Sequence, residues 1–476
     1  MSRYEVVIGL EVHAQLLTES KLFCSCSTRF GALPNSNVCP VCLGLPGSLP
    51  VLNQKAVAYA VRAAQALGCS VQKSSIFARK NYFYPDLPKG YQISQFEQPL
   101  ATWGELTVAG AEGPRRVAIR RVHMEEDAGK NVHKGGSDSL VDLNRAGVPL
   151  VEIVSEPDLR SSAEAAAYLR ALREILMFIG VNDGNLEEGS LRCDANVSLR
   201  PVGTEELGTR CELKNLNSFK FVQRALDAEV ARQTVVLDSG KPVEQQTRAF
   251  DPDTGRTRAL RSKEESHDYR YFPEPDLPPL LIDQKILDEE RVDPASLPEA
   301  LRRRLIEQLG LSEQAAATLT QHREFYRFFE ATRERFAEPV KVANYLLTEV
   351  LRGARQHGLE VELTVTPEQV ADILGLVEAG TISGKQAKEL HTAIEGSSRK
   401  VAEVVEELGL RVLGDADTLE PLCRKIVEDS PGQVAQYRSG KKGVLGYFVG
   451  QVMRETKGSA DPKLVNQILV RLLDAS

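Results

Sequence analysis

The sequence predicts an α+β fold. A large, mainly antiparallel β-sheet, interrupted by helices and carrying a four-cysteine zinc motif, precedes an all-α domain and a small helical tail. Three observations predict it. Through about residue 270, short alternating segments are separated by Gly, Pro, Asn and Asp, the punctuation of strands and turns. Strands and helices do not alternate as repeated βαβ units, which argues against a parallel sheet. From about Pro294 onward the apolar spacing becomes helical.

The elements follow in order. Strands are expected at 6–16, 116–124, 140–144, 150–154, 191–199 and 210–213. Two helices interrupt them: 53–67, rich in Ala and Val at helical spacing, and 162–180, which opens at a serine cap and closes at Gly180. Pro273, Pro275, Pro278 and Pro279 stiffen a crossing, and a short strand is expected at 280–282. Amphipathic helices then read at 298–310, 312–321, 340–352, 367–380, 384–396 and 398–410. A weaker break falls at 414–418, followed by a helix at 419–428, a turn at Ser430-Pro-Gly-Gln433 and further helices. Three domains are expected: 1–292, 293–410 and 411–476. No internal repeat or low-complexity tract is visible.

Composition bounds the function. A chain of 476 residues can bury a sizeable core without staples. With 42% hydrophobic and 26% charged residues it is neither disordered nor fibrous. A net charge of -7 excludes a wholly basic nucleic-acid coat but not a local basic patch. Glu5 and Glu11 break the first apolar run, so no signal peptide is expected, and no window is apolar enough to suggest a membrane span. The expected compartment is the cytoplasm, where cysteines serve metal binding more often than disulfides.

Cys24-Ser-Cys26 and Cys39-Pro-Val-Cys42 are two close pairs joined by a short loop. Four thiolates at tetrahedral reach leave no open position, so the expected zinc is structural. Cys69, Cys193, Cys211 and Cys423 are isolated and read as small core residues.

The strands carry polar groups on one face. Glu11, His13 and Gln15 share a side by the period of two. Arg192, Asp194, Asn196 and Ser198 alternate with Cys193, Ala195 and Val197, and Arg210, Glu212 and Lys214 alternate with Cys211 and Leu213. His123-Met-Glu125-Glu126-Asp127 ends a strand, and Glu152 sits inside an apolar run. Each alone reads as a solvated outer face. Together they are the ligand types Mg²⁺ and phosphate chemistry require, with Lys and Arg to neutralise phosphate charge. The face reads as a concave bed for a nucleotide. Gly380-Thr-Ile-Ser-Gly384-Lys385 has the wrong spacing for a P-loop, and no GxGxxG or GxSxG pattern follows a strand.

Several stretches together carry a resemblance: Ile8-Gly-Leu-Glu11-Val-His13, Arg79-Lys80-Asn-Tyr82-Phe-Tyr84-Pro-Asp86, Tyr91-Gln-Ile-Ser-Gln95, His123-Met-Glu-Glu-Asp-Ala-Gly129, and the run from Asp142 to Asp158. Glu188-Gly-Ser-Leu-Arg192 through Arg200, Glu212-Leu-Lys-Asn-Leu-Asn217, and Asp268-Tyr-Arg270-Tyr-Phe-Pro-Glu274 complete it. The chain resembles the GatB family, the B subunits of aspartyl/glutamyl-tRNA amidotransferases, closely over residues 5–280 and more loosely through a helical domain and a YqeY-like tail. The resemblance implies ATP- and Mg²⁺-dependent phosphorylation of the side-chain carboxylate of Glu-tRNA(Gln), Asp-tRNA(Asn) or both, then displacement of phosphate by ammonia. It implies partners within a GatCAB complex, an amidase that supplies the ammonia and a small belt-like protein, and a non-discriminating aminoacyl-tRNA synthetase as a further partner. Glu11, His13 and one of Glu125 or Glu126 match the family's magnesium site, with Glu152 and Asp194 as additional ligands. Alternation puts Glu125 on His123's face and leaves Glu126 as the alternative. Arg192, Asp194, Asn196, Glu212 and Lys214 are the candidate nucleotide contacts. Lys80 and Tyr82 match a stretch implied to line the ammonia route or contact the acceptor end.

Arg424, Lys425, Arg438, Lys441, Lys442, Arg454 and Lys457 outnumber the acids near them, with Tyr437, Tyr447 and Phe448 interleaved. Ser439-Gly-Lys-Lys-Gly443 is a basic turn suited to phosphate contact. Arg438, Lys441 and Lys442 are therefore the candidate tRNA contacts. The competing reading is a non-catalytic, zinc-stapled tRNA scaffold.

Overall fold

The computed structural model describes residues 3–110, 113–133, 139–262, 269–357, 359–410, 416–456 and 460–475. Asp268, Lys457 and Gly414, at the expected break, lie outside the described residues. The chain divides into two compact units, Met1–Ala300 and Leu301–Ser476.

Among the described residues, the first unit is built on a nine-stranded sheet. In chain order its strands are β1 (Tyr4–Gln15), β2 (Ser70–Val71), β3 (Ala101–Gly110), β4 (Gly113–Glu126), β5 (Pro149–Ser155), β6 (Leu191–Pro201), β7 (Cys211–Lys214), β8 (Gln246–Asp251) and β9 (Arg256–Ser262). Their spatial order is β9-β8-β7-β6-β1-β5-β4-β3-β2. Every pairing is antiparallel except β7 with β8, so the sheet is mostly antiparallel, as the punctuation predicts. β1 holds the centre because its alternation is clean. Ile8, Leu10, Val12 and Ala14 are buried in the core while Glu11, His13 and Gln15 face the other way.

Three helices cover the apolar side: α1 (Gln54–Ala66), α2 (Ser162–Phe178) and α3 (Phe219–Asp238). Val57, Ala60 and Val61 of α1, Leu169 and Leu172 of α2, and Val222, Ala225 and Leu226 of α3 join the strands in one core. Each such buried Val or Leu side chain contributes about 1.5–3 kcal/mol. With the helices on one face, the polar face of the sheet is left open to hold a ligand. α3 was not expected. Its signals are present in the sequence, since Ser218 caps it by accepting from Phe221 N and its apolar positions fall at helical spacing. Glu229 and Gln233 interrupt that stripe, but inside the core Arg232 and Gln233 donate to Glu229, and Gln233 Nε2 also reaches Val197 O at 3.2 Å. A small antiparallel sheet, Phe77–Asn81 between Phe272–Pro273 and Tyr91–Gln95, brings the 80s and 270s together.

The second unit is helical apart from a short hairpin, Arg355–His357 with Glu360–Glu362. Helices Pro298–Glu307, Glu313–Leu319, Arg323–Arg335, Pro339–Tyr345, Pro367–Glu378, Gly384–Ile394 and Val401–Leu408 match or adjoin the expected ones, Arg323–Arg335 being additional. Thr366 and Ser383 open capping boxes with Gln369 and Gln386. Helices Ala416–Glu428, Pro431–Arg438, Leu445–Glu455 and Pro462–Asp474 build a separate core around Leu419, Phe448 and Leu469. The expected turn at Ser430-Pro-Gly-Gln433 is instead a helix start, because proline at the first helical position has no N–H to leave unsatisfied. Among the described residues, no helix is long and apolar enough to cross a membrane.

Candidate active site

The register of the central strands assembles the site. His13 of β1 stands opposite Glu152 of β5 on one side and Arg192 of β6 on the other, and Glu152 stands opposite His123 of β4. Arg192, His13, Glu152 and His123 thus form one cross-strand row on one face. In the next row Glu11 pairs with Asp194, and beyond it Gly9 pairs with Asn196, which pairs with Glu212. Side chains far apart in the sequence become neighbours because antiparallel partners project to the same side.

These side chains line a cavity of about 970 Å³. Its walls include Glu11, His13, Lys80, Tyr82, Glu125, Glu152, Arg192, Asp194, Asn196, Glu212 and Lys214. At its centre His13 Nε2 lies 3.5 Å from Glu125 Oε1 and 3.4 Å from Glu152 Oε2, and His123 Nε2 lies 3.3 Å from the same Glu152 oxygen. One ligand atom from each of His13, Glu125 and Glu152 lies within 4.8 Å of the others, a set that could hold a metal ion. One imidazole and two carboxylates suit a hard divalent cation that keeps positions for water and phosphate oxygens. Glu11 sits beside this trio, accepting from Asn196 Nδ2 at 3.0 Å.

Charge distribution follows from burial and neighbours. Burial opposes charge on His13, but hydrogen bonding to Glu152 and the charges of Glu152 and Glu125 outweigh it and push His13 up to about 9. Burial likewise opposes ionisation of Glu152, yet His123 and His13 hold it well below the usual carboxylate range. Glu11 is pushed up by burial and by Glu152, Glu212 and Asp194. Lys214 is buried, yet Asp194 at 2.5 Å and Glu212 at 2.9 Å hold it charged. Arg192 donates to both oxygens of Asp127, at 2.8 and 3.0 Å, and Gln15 donates to the same carboxylate.

Glu126 does not join this group. Its neighbour Glu125 faces the cavity, so the alternation of β4 turns Glu126 the other way. There it is buried against Lys89, accepts from Ile93 N at 2.9 Å, and lines a smaller cavity with Cys24 and Cys42. Glu126 thus lies apart from the cavity that the other catalytic candidates line. His123, Asp127, Tyr269 and Tyr271 also line the cavity without being singled out as site residues by the sequence. The first is legible as the alternation partner of Glu125. The two tyrosines lie in the Tyr269-Arg270-Tyr271 stretch, where Tyr269 lies under Lys80 Nζ at 4.8 Å and packs edge-on against Tyr82.

Cys24, Cys26, Cys39 and Cys42 form a second set whose sulfurs lie within 4.8 Å of one another, with Cys39 Sγ and Cys42 Sγ 3.9 Å apart. Tetrahedral zinc with bonds of about 2.3 Å would place sulfurs about 3.8 Å apart. The hydrogen bond from Cys24 and the nearby Lys21 bring Cys42 down to about 4, so one thiolate is already favoured. In the second unit Arg438 Nε donates to Leu473 O at 3.4 Å. Lys442 pairs with Asp474 at 3.0 Å and sits 3.9 Å over the Tyr437 ring, while Lys441 is exposed.

The family model described as the GatB/GatE catalytic domain matches residues 6–288, and one described as a GatB domain matches residues 327–473. Curated relatives match along their whole length. The B subunit of the aspartyl/glutamyl-tRNA(Asn/Gln) amidotransferase of Geotalea uraniireducens is 52% identical over 99% of this chain and 100% of its own. Those of Anaeromyxobacter sp. and Geobacter sp. are 54% and 53% identical, over 99% of this chain and 99% of theirs. With the matches spanning both units and the polar face carrying the motif residues, the chain belongs to the GatB family, the B subunits of aspartyl/glutamyl-tRNA(Asn/Gln) amidotransferases.

Proposed function

We propose that this chain activates and amidates the side-chain carboxylate of Glu-tRNA(Gln), Asp-tRNA(Asn) or both, as the B subunit of a glutamine-dependent ligase. Ammonia reaches it from an amidase partner, and a small third protein completes the assembly. The observation that carries the reading is the His13–Glu125–Glu152 trio on the floor of a cavity walled by Arg192 and Lys214. The match to a catalytic-domain model over residues 6–288 runs against the non-catalytic scaffold.

The chemistry needs what this face offers. A carboxylate resists attack by ammonia because its leaving group would be oxide. Transfer of the terminal phosphoryl group of ATP gives phosphate as the leaving group. His13, Glu125 and Glu152 would hold Mg²⁺, which neutralises phosphate charge when bound. Arg192, fixed by Asp127, contributes a preorganised positive charge beside the phosphates. Glu11, Asp194, Asn196, Glu212 and Lys214 form the adjoining wall of the nucleotide site. Lys80, Tyr82 and Tyr269 form a partly aromatic wall through which ammonia or the acceptor end approaches, and a recessed site shields the acyl phosphate from water. The four cysteines would hold a structural zinc. Residues 1–292 act as the catalytic cradle, 293–410 as a helical domain and 411–476 as the tRNA-binding tail, in the cytoplasm.

The test uses the purified complex with mischarged Glu-tRNA, ammonium and ATP, without glutamine. Amidation that depends on ATP, and that His13→Ala abolishes while tRNA binding persists, supports the reading. ATP-independent amidation, or full activity of His13→Ala, overturns it.

A further inference from the structure

One strand of the cavity floor is irregular. Val154 of β5 pairs with Arg121 of β4, but the next residue, Ser155, pairs with Ile119. Arg120 is therefore an extra residue in β4, a β-bulge. On a regular strand successive side chains face opposite ways. Here Val122 and Met124 on one side of the bulge, and Ile119 and Val117 on the other, all enter the core. Both Arg120 and Arg121 are left on the cavity side, where each lines the wall. The bulge thus delivers two consecutive guanidinium groups to one face.

Their surroundings differ. Arg120 gives two hydrogen bonds of 2.8 Å to Glu156. Arg121 Nε is buried with no hydrogen-bond partner among the described residues. Several other cations of the cavity wall are engaged. Arg192 and Arg145 share Asp127, Lys214 holds Asp194 and Glu212, and the Lys80 ammonium lies over Tyr269. A buried N–H without an acceptor is costly, and an anion arriving in the cavity removes that cost. Arg121 shares its strand face with His123 and Glu125, so it stands beside the trio that would hold the metal. A guanidinium fork matches phosphate oxygens in a way a carboxylate-paired arginine cannot.

We propose that Arg121 is a phosphate-binding residue of this site, contacting the terminal phosphates of the nucleotide. This rests on the reading that the cavity transfers a phosphoryl group from ATP. The bulge exists, on this view, to place next to the metal ligands an arginine that pairs with no carboxylate among the described residues.

The experiment uses the chain in complex with its amidase and small partners and compares Arg121→Gln and Arg121→Lys with the wild type. ATP binding is measured without tRNA, tRNA binding without ATP, and ammonium-driven amidation across ATP concentrations, with thermal melting in parallel. Loss of a charge-assisted contact predicts a rise of about tenfold to hundredfold in the ATP Kd and KM for Arg121→Gln. Arg121→Lys should recover part of it, with tRNA affinity and melting temperature unchanged. Unchanged ATP binding overturns the proposal, as does a defect confined to tRNA binding, or a fall in melting temperature that accounts for the loss and that lysine does not repair. If the wild-type complex itself amidates without ATP, the functional reading fails, an outcome distinct from a silent Arg121 variant.

Discussion

Glu125 and Glu126 are adjacent, chemically identical and both buried, yet the structure predicts opposite consequences for their replacement by glutamine. Glu126 is salt-bridged to Lys89, itself almost fully buried, and its carboxylate also receives Ile93 N–H. Glutamine keeps an acceptor for Ile93 but strands the ammonium. Breaking a buried pair costs about 3–5 kcal/mol, and the retained backbone bond argues for about 3. At this domain size that corresponds to a fall of about 5–10 °C in melting temperature. Glu125 shares its cation, because His13 is also held by Glu152 and stays paired when Glu125 is neutralised. It is 3.5 Å from His13 and accepts from Ser94 Oγ at 3.3 Å, with Glu152 close by. Neutralising it relieves carboxylate crowding, so Glu125→Gln should melt within about a degree of wild type or above it. Its loss should instead appear in ATP-dependent amidation. Outer partners of metal ligands already cost about 10–100-fold in activity when removed, so a ligand should cost at least about 100-fold. The assay pairs melting of the complex with conversion of mischarged Glu-tRNA by ammonium and ATP. An active Glu125→Gln, or a Glu126→Gln that melts normally but fails to amidate, would refute the assignment of the two faces.

Further outcomes follow from other parts of the chain. Glu229 is fully buried, and although burial opposes its charge, hydrogen bonds from Arg232, Gln233 and Thr257 hold it below its usual range. A depressed carboxyl stabilises the fold above its unfolded value of about 4.3. That stability is lost as pH falls through the folded value, so Glu229→Gln should flatten the acid side of the stability curve measured by urea melts from about pH 6 downward. Equal slopes in both proteins would sink this. Cys39→Ser, or chelation, should release one zinc per chain by elemental analysis and lower the melting temperature. Metal-free wild type with unaltered melting would contradict a structural zinc. Lys441→Glu with Lys442→Glu should weaken tRNA binding and reduce its log–log salt slope by up to about two, leaving glutamine hydrolysis by the partner intact. Unchanged tRNA affinity at several salt concentrations would refute it. Lys442→Glu alone also tests whether its pairing with Asp474 and Tyr437 outweighs a phosphate contact, since it then leaves the salt slope unchanged.

Much of the polar cavity face was legible because the period of two is a local property. Glu11 and His13 must share a side of β1, and Asp194 and Asn196 a side of β6, wherever those strands lie. The four cysteines were legible for the same reason, since close pairs on a short loop need little tertiary help to converge. α3 was missed because Glu229 and Gln233 interrupt its apolar stripe, and it is partners such as Arg232, Arg248, Thr257 and the backbone of β6 that make them tolerable inside. Arg121 was missed because alternation, applied without the bulge, cannot put Arg120 and Arg121 on one face.

The sequence by itself determined the strand alternation, the helix caps, the metal-ligand types and the motifs that mark the family. These are set by dihedral preferences and spacing along a few residues. Only the tertiary structure decided that His13 meets Glu152, His123 and Arg192, that Glu125 rather than Glu126 joins them, and that the β4 bulge turns Arg121 toward the same cavity. Those outcomes depend on the register between strands far apart in the chain, where a slip of one residue exchanges every side chain between core and cavity.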